Sequence, residues 1–324
     1  MSGAQEETWV SGRVVRTDAK LVHVEIDGRI VACAPRGKLF EERKTQKNPI
    51  AVGDFVRVDP ASDPAGVEEV LQRRNYLGRT ASSHDPREQV LVANVDRLFL
   101  VGSLGRPGFS SNRTDRILAA CAWHQIPATL VLNKIDLARE GEIAAIRATY
   151  EPAEVEVLET CAIRGEGVED LRARLKGQVS VLYGASGAGK SSLLNALQPG
   201  LALRVGKISR YWETGKHTTN SSQLHHLDSG GWVIDTPGIR TFRLHGLVRG
   251  ELRGFFREFA RHQERCRFPD CTHDHEPECA VFEAVERGEV PATRYASYLE
   301  MLEELAPARA EEAPDEGPED DEDA

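Results

Sequence analysis

Val179-Ser-Val-Leu-Tyr-Gly184-Ala185-Ser186-Gly187-Ala188-Gly189-Lys190-Ser191-Ser192 decides how this chain folds. An apolar strand run ends in Gly184-xxxx-Gly189-Lys190-Ser191, and residues 191–197 open a helix, the setting that a phosphate-binding loop requires. Glycines let backbone N–H groups turn inward around phosphate oxygens. In such a loop the lysine, here Lys190, reaches the β- and γ-phosphates, and the hydroxyl of Ser191 ligates Mg²⁺.

Downstream, the strand Trp232-Val-Ile-Asp235 runs into Thr236-Pro237-Gly238. Asp235 is expected to hold the Mg²⁺ shell through water, and the Gly238 N–H to face the γ-phosphate. Upstream, a strand over 129–132 feeds Asn133-Lys134-Ile135-Asp136. A carboxylate at Asp136 can accept from guanine N1–H and from the exocyclic amine. Adenine offers neither donor, so buried mismatched groups penalise it, which argues against an ATPase or kinase. The stem of Lys134 packs on the base plane. Cys161-Ala162 follow a strand over 155–160, and the Ala162 N–H is expected to meet guanine O6. Because the backbone does that reading, cysteine at 161 looks a mild departure from the usual serine. The base-reading motif comes before the phosphate loop, the reverse of an ordinary small GTPase. That rotated order predicts a circularly permuted GTPase domain over 97–240, a doubly wound α/β sheet with ligand loops at the strand ends.

Between the phosphate loop and Asp235 lies the polar, basic stretch 204–222, with Gly215-Lys216-His217-Thr218-Thr219. Thr219 is the candidate to close over Mg²⁺ in a loop that orders around the γ-phosphate. Ile239 follows Gly238, where a glutamine would orient the attacking water. Isoleucine cannot do this, so intrinsic hydrolysis is expected to be slow, and His217 is the candidate to position water when a partner moves it into place.

On the amino-terminal side, short alternating runs over 12–16, 21–26, 29–33 and 54–58 are split by Thr17-Asp18 and by Asp27-Gly28, a strong hairpin signal. They predict a small barrel of OB-fold type over 1–71, an RNA-binding domain with basic loop residues Arg36, Lys38, Arg43, Lys44 and Lys47. Residues 72–96 read as a linker and entry segment, with Arg73, Arg74 and Arg79 around Tyr76 as a further phosphate-contacting stretch. Asn112 is the candidate N-cap of a helix over 112–125. Residues 241–309 read as a mainly helical domain with helices over 249–259, 280–288 and 293–305.

That third domain carries Cys266-xxxx-Cys271-x-His273-xxxxx-Cys279. Three thiolates and an imidazole make a tetrahedral soft set with no position left for water, which predicts one structural zinc ion. His275 lies close enough to compete with His273. The six cysteines form no disulfide framework and point to a reducing, cytoplasmic setting. No secretory leader is expected, and no run approaches the roughly twenty apolar residues that span a bilayer.

The formal charge of −10 comes from 41 basic and 51 acidic residues, but nine of the acids lie in 310–324 with no base among them. The remainder balances 41 bases against 42 acids, so a nucleic-acid partner is not excluded. The stretch 310–324 is expected to be a disordered acidic tail.

The chain resembles the ribosome small-subunit-dependent GTPase A family of circularly permuted assembly GTPases. The likeness runs from about Glu7 to Leu305 and is carried by the rotated motif order, Ser186 to Ser192, Lys216 to Thr219, Asp235-Thr-Pro-Gly-Ile-Arg-Thr-Phe242, and the Cys266 to Cys279 cluster followed by Ala280-Val281. The resemblance implies an OB-fold, a GTPase and a zinc domain, and GTP hydrolysis stimulated by the small ribosomal subunit in its late maturation. It further implies ribosomal RNA contacts by both flanking domains, and a water-positioning histidine at His217. It supports His273 as the zinc ligand. The acidic tail departs from an RNA-contacting extension, since phosphate would repel it. A monomer that turns over GTP slowly alone is expected. The alternative is an RNA-binding module that uses GTP only as a switch, with negligible turnover.

Overall fold

The computed structural model describes residues 9–82, 84–201, 222–236 and 242–305. Thr219, His217, Gly238 and Ile239, and the acidic stretch 310–324, lie outside the described residues.

The first unit consists of β1 (Val10–Thr17), β2 (Val22–Ile26), β3 (Arg29–Pro35), α1 (Gly37–Glu42), β4 (Phe55–Asp59) and β5 (Ala65–Val70). Neighbours pair in the order β1-β2-β3-β5-β4, and β4 returns to β1, so five strands close into the expected OB-like barrel. Closure removes the sheet edges. Inward positions are small and β-branched: Val14, Val24, Val56, Val58 and Val67 are fully buried. Asp27 and Gly28 both take positive φ (48° and 76°), which gives the β2–β3 turn the twist of a two-residue hairpin. Strand β5 is a finding beyond the four expected strands.

Residues 72–96 hold β6 (Tyr76–Ser82) and β7 (Asp85–Ala93), an antiparallel hairpin where a linker was expected. It is fastened to the barrel by Ala93 N–H on Val52 O (2.9 Å) and Lys47 N–H on Glu88 O (2.7 Å). Its outer strand meets the segment after 241, where the Thr80 N–H and hydroxyl donate to the carbonyls of Arg243 (3.1 Å) and Leu244 (3.2 Å). Arg73 is not a phosphate contact. Its guanidinium grips the buried carboxylate of Asp54 with two bonds of 2.7 and 2.8 Å, which ties the barrel to the chain that leaves it. Arg74 stays exposed at the surface beside Asp96, at 2.6 Å, and Arg79 bonds Gln89.

The central unit alternates β8 (Arg97–Ser103), α2 (Ser111–Trp123), β9 (Ala128–Asn133), α3 (Glu142–Tyr150), β10 (Glu156–Thr160), α4 (Val168–Leu175), β11 (Val179–Gly184), α5 (Lys190–Leu197), β12 (Gln223–His226) and β13 (Trp232–Asp235). Strands β10-β9-β8-β11-β13 run parallel, and β12 is antiparallel at the edge, where Gln223 pairs with Arg16 of the barrel. The two faces of β8 show why a parallel strand reads as continuously apolar. Leu98 and Leu100 pack with α2 and α3, while Phe99 and Val101 pack with α4 and α5. Helix α2 is capped by Ser110, whose Oγ accepts from Arg113 N–H, and not by Asn112. Asn112 sits inside the first turn, and its amide donates to Glu300 at 2.6 Å.

The last unit has a 3₁₀ turn (Arg249–Phe255), α6 (Arg257–Gln263), α7 (Ala280–Glu286) and α8 (Ala292–Glu304). The helix expected over 249–259 is thus broken at Phe256, which turns its ring inward to stack on Phe259. Helix α8 lies against α2 through a buried ion cluster. Arg294, 2 % exposed, donates to Glu258 (2.7 and 3.1 Å) and to Asp115 of α2 (2.7 Å), and its guanidinium lies 4.7 Å from the centre of the Phe256 ring. Tyr150 O–H also donates to Asp115 at 2.9 Å. Arg294→Ala would leave two buried carboxylates without their cation, and should lower stability by about 3–5 kcal/mol in chemical denaturation.

Candidate nucleotide site and metal centre

Strand register brings the two rotated motifs together. Asn133 ends β9 opposite Ser103 of β8, and Gly184 ends β11 opposite Val101 of the same strand. The ends of β9 and β11 therefore lie either side of β8, although Asn133 precedes Gly184 along the chain.

Asn133 is 1 % exposed and joins three loops. Its Nδ2 donates to Ala188 O of the phosphate loop (2.9 Å), and its Oδ1 accepts from Ala162 N–H and Thr160 O–H (3.3 Å each). The Ala162 N–H is thus engaged by Asn133 here, not left open for a base. Gly189 must be glycine in this arrangement, because its φ is +97° and an added Cβ would fall 2.2 Å from Asn133 Nδ2. Lys134 adopts the left-handed conformation (φ 64°), which throws its ammonium across the loop onto Gly187 O and Arg106 O, both at 2.7 Å. Burial lowers its pKa, against the pull of Asp136. Ile135 packs onto the core beneath, anchoring a short 3₁₀ turn (Ile135–Leu137) that presents Asp136. Asp136 Oδ1 lies 3.0 Å from the thiol of the fully buried Cys161.

On the phosphate side, Ser186 and Gly187 are exposed at the loop tip, and Ala185 is half-buried behind them. Helix α5 starts at Lys190, so the first-turn N–H groups, including those of Ser191 and Ser192, have no carbonyl four residues back within the helix. Lys190 is buried, and its Nζ donates to Gly184 O (2.9 Å) and Ala185 O (3.3 Å). Burial lowers its pKa, partly offset by Asp235. Asp235 in turn is raised by burial, partly offset by Lys190, and its Oδ1 is buried without a hydrogen-bond partner among the described residues. An orphaned carboxylate oxygen facing a phosphate loop is the donor expected of a site for a hard cation. The next residue fixes the strand end, since Thr236 O–H donates to Leu182 O at 2.9 Å.

The second centre is in the last unit. One ligand atom each of Cys266, Cys271, His273 and Cys279 lie within 4.8 Å of one another. His273 turns Nδ1 to the sulfurs of Cys266 (3.6 Å) and Cys279 (3.5 Å). His275 is exposed, bonds Asp274, and is not in this set. Burial lowers the His273 pKa to about 4, which keeps the imidazole in its neutral, metal-binding form. Burial and neighbouring thiols push Cys271 up to about 12, so a bound cation is what would hold these sulfurs as thiolates. The loop is clamped from α8, with Tyr295 O–H on His273 O (2.7 Å) and Tyr298 O–H on Thr272 O. Phe259 sets its ring edge-to-face with His273. Thr160, Arg106 and these two tyrosines serve the two centres without any local motif that would have marked them.

Candidate loops for base and phosphate that converge in space while running in rotated order along the chain define the class, a circularly permuted GTPase. A family model described as RsgA GTPase matches residues 70–245. A "Small ribosomal subunit biogenesis GTPase RsgA" from Porphyromonas gingivalis is 39 % identical over 287 residues, 86 % of this chain and 91 % of that one. Its namesake from Thermotoga maritima is 38 % identical over 299 residues, 91 % of this chain and 96 % of that one. The crystal structure of YjeQ from Thermotoga maritima superposes with a TM-score of 0.70 at 36 % identity, covering 92 % of this chain and 98 % of that one. YloQ, whose structure is titled a circularly permuted GTPase, gives a TM-score of 0.65 at 27 % identity, with 94 % and 98 % covered. This chain belongs to the RsgA GTPase family.

Cys271→Ser should strip most of the bound metal from a protein that otherwise carries about one equivalent, and should loosen the last unit while the central sheet keeps its melting transition. Unchanged metal content would remove Cys271 from the ligand set.

Proposed function

We propose that the protein binds GTP·Mg²⁺ across the ends of β9 and β11 and hydrolyses it as a maturation factor of the small ribosomal subunit, which stimulates turnover. The observation that carries this reading is the Asn133 amide, bonded at once to the phosphate loop and to the turn after β10. It is supported by the relatives named as small ribosomal subunit biogenesis GTPases.

In this reading Asp136 accepts from guanine N1–H and the 2-amine, Lys134 covers the base, and Cys161 and Ala162 line its far edge. The backbone of Gly184 to Ser192 cradles the phosphates. Lys190 leaves its two loop carbonyls to meet the β- and γ-phosphates. Ser191 and Thr219 hold Mg²⁺, Asp235 supports the ion's water shell, and the Gly238 N–H senses the γ-phosphate. When bound, Mg²⁺ would supply charge neutralisation at the phosphate oxygens. Ile239 offers no group to orient water, so His217 does so, brought into place on the subunit. The metal in the Cys₃His set is a zinc ion in a purely structural role, favoured by three sulfurs and one nitrogen with no open position.

Ribosomal RNA is the partner of the flanking units. On the barrel, Arg36 and Lys38 are occupied with Glu68 (2.7 and 3.2 Å) and half-buried Arg43 donates to Val70 O (3.4 Å), which leaves exposed Lys44 and Lys47 as the phosphate contacts. Among the described residues no helix is long and apolar enough to cross a membrane. We place the protein in the cytoplasm, as a monomer.

Hydrolysis assayed alone, with small subunits and with large subunits should be slow, fast and slow; absence of stimulation by small subunits, with GTP binding intact, would overturn the assignment. His217→Ala should reduce stimulated turnover on the order of 100-fold, with GTP affinity nearly unchanged. A parallel loss of affinity would make it a loop-holding residue instead. Asp136→Asn should weaken GDP binding by about 100-fold or more and favour xanthosine diphosphate, whose 2-oxo group meets the new amide donor.

A further inference from the structure

All six cysteines are described, and five of them are buried; Cys266 alone is half-exposed. It belongs to the Cys₃His set, whose other members, Cys271, His273 and Cys279, are all buried. A surface cleft of about 710 Å³ reaches it, walled by Gly250, Arg253 and Gly254 of the 3₁₀ turn, by Gln263 at the end of α6, and by Pro269. The two glycines are exposed and leave the cleft wide, since a Cβ added at either meets nothing within 4 Å. The Arg253 guanidinium donates to Pro269 O (3.0 Å) and Cys271 O (2.8 Å), which fixes the metal loop beside a positive charge. The three sulfurs also differ in what they accept. Cys279 Sγ takes the Phe282 N–H (3.4 Å) as the cap of α7, and the His273 N–H faces the sulfur of Cys271. Among the described residues no backbone N–H reaches Cys266 Sγ, whose neighbour is His273 Nδ1 at 3.6 Å. An N–H bond draws electron density from a thiolate, and burial denies a reagent access, so Cys266 is the sulfur spared both restraints.

We infer that Cys266 is a redox-modification site, at which hydrogen peroxide entering by this cleft converts the Cys₃His set to a disulfide and unclamps the last unit. The inference rests on the zinc reading given above. The Cys266 thiolate attacks one peroxide oxygen, the O–O bond breaks, and the sulfur becomes a sulfenic acid; the departing hydroxide takes a proton from solvent and leaves as water. A second thiolate of the set, from Cys271 or Cys279, then attacks that sulfur, forms the S–S bond and expels hydroxide, which is protonated to a second water. Two thiolates are thus oxidised by two electrons in all, and one peroxide is reduced. The ligand atoms lie within 4.8 Å of one another, so the resolving sulfur stands beside the first. A set left with one thiolate and one imidazole no longer closes around a cation. The loop that Tyr295 and Tyr298 hold from α8 then loses its inner anchor.

The test treats the full-length, zinc-loaded protein with hydrogen peroxide, follows released zinc with a chromogenic chelator, and maps disulfides by peptide mass spectrometry. About one equivalent of zinc should be released in step with one disulfide that contains Cys266, and dithiothreitol with added zinc should restore the starting state. Gly254→Phe, which fills the cleft without altering a ligand, should slow release roughly tenfold, whereas Gly254→Ala should leave the rate unchanged. If Gly254→Phe takes up no metal, Gly250→Phe blocks the same cleft and is read in its place. Release at the unaltered rate from the blocked variant, or a disulfide that joins Cys271 to Cys279 alone, would overturn the inference. Metal content before oxidation separates this inference from the reading it rests on. A protein that binds no zinc refutes that reading, while the mapped disulfide still decides whether Cys266 is the residue oxidised.

Discussion

The site depends on one buried amide. Asn133 spends its donor on the phosphate loop and its acceptor on the turn after β10, so base-side and phosphate-side loops share a single rigid post. A side chain buried this deeply must satisfy its polar atoms, and here each of them serves a different segment. The close approach of Gly189 follows from the same contact, since any side chain there would strike the amide. Rotation of the chain order is harmless because a parallel sheet aligns strand ends whatever their sequence order, and β8 supplies the rung between them.

Around this post the other two units are held by buried charge as well as by apolar packing. Arg73 and Asp54 pin the barrel to the chain that leaves it, and Arg294 with Asp115 and Glu258 pins α8 to α2. Buried pairs of this kind contribute little net stability against an apolar replacement but are costly to break singly, which makes them markers of a fixed docking geometry. The β6–β7 hairpin adds a second connection, since it pairs with barrel residues on one side and with Arg243 and Leu244 on the other. The segment that follows the Asp235 strand is thereby tied to the element that carries the barrel.

Much of this was legible in the sequence where chemistry dictates spacing. The phosphate loop, the Asn133 to Asp136 turn and the Cys₃His set are each short patterns whose proposed chemistry needs those residue types at those intervals; in the structure the Cys₃His ligand atoms lie within 4.8 Å of one another and Asn133 links the first two loops. What was not legible depends on partners distant in sequence. Arg73 looks like any exposed arginine near an aromatic ring, and only the fold supplies Asp54 beneath it. Ser110 and Asn112 are both good capping residues, and the local sequence does not choose between them; the pull of Glu300 on Asn112 does. The hairpin over 76–93 reads as linker in the sequence because charged and polar residues break its apolar alternation. The four-residue strand β12 is too short to announce itself.

The most direct test of the account is a crystal structure with Mg²⁺ and a non-hydrolysable GTP analogue. The account predicts one nucleotide with its guanine edge on the carboxylate of Asp136 and its β- and γ-phosphates on Lys190, whose ammonium has moved off the carbonyls of Gly184 and Ala185. A nucleotide that engages only one of these side chains, with the other in a separate pocket, would contradict it.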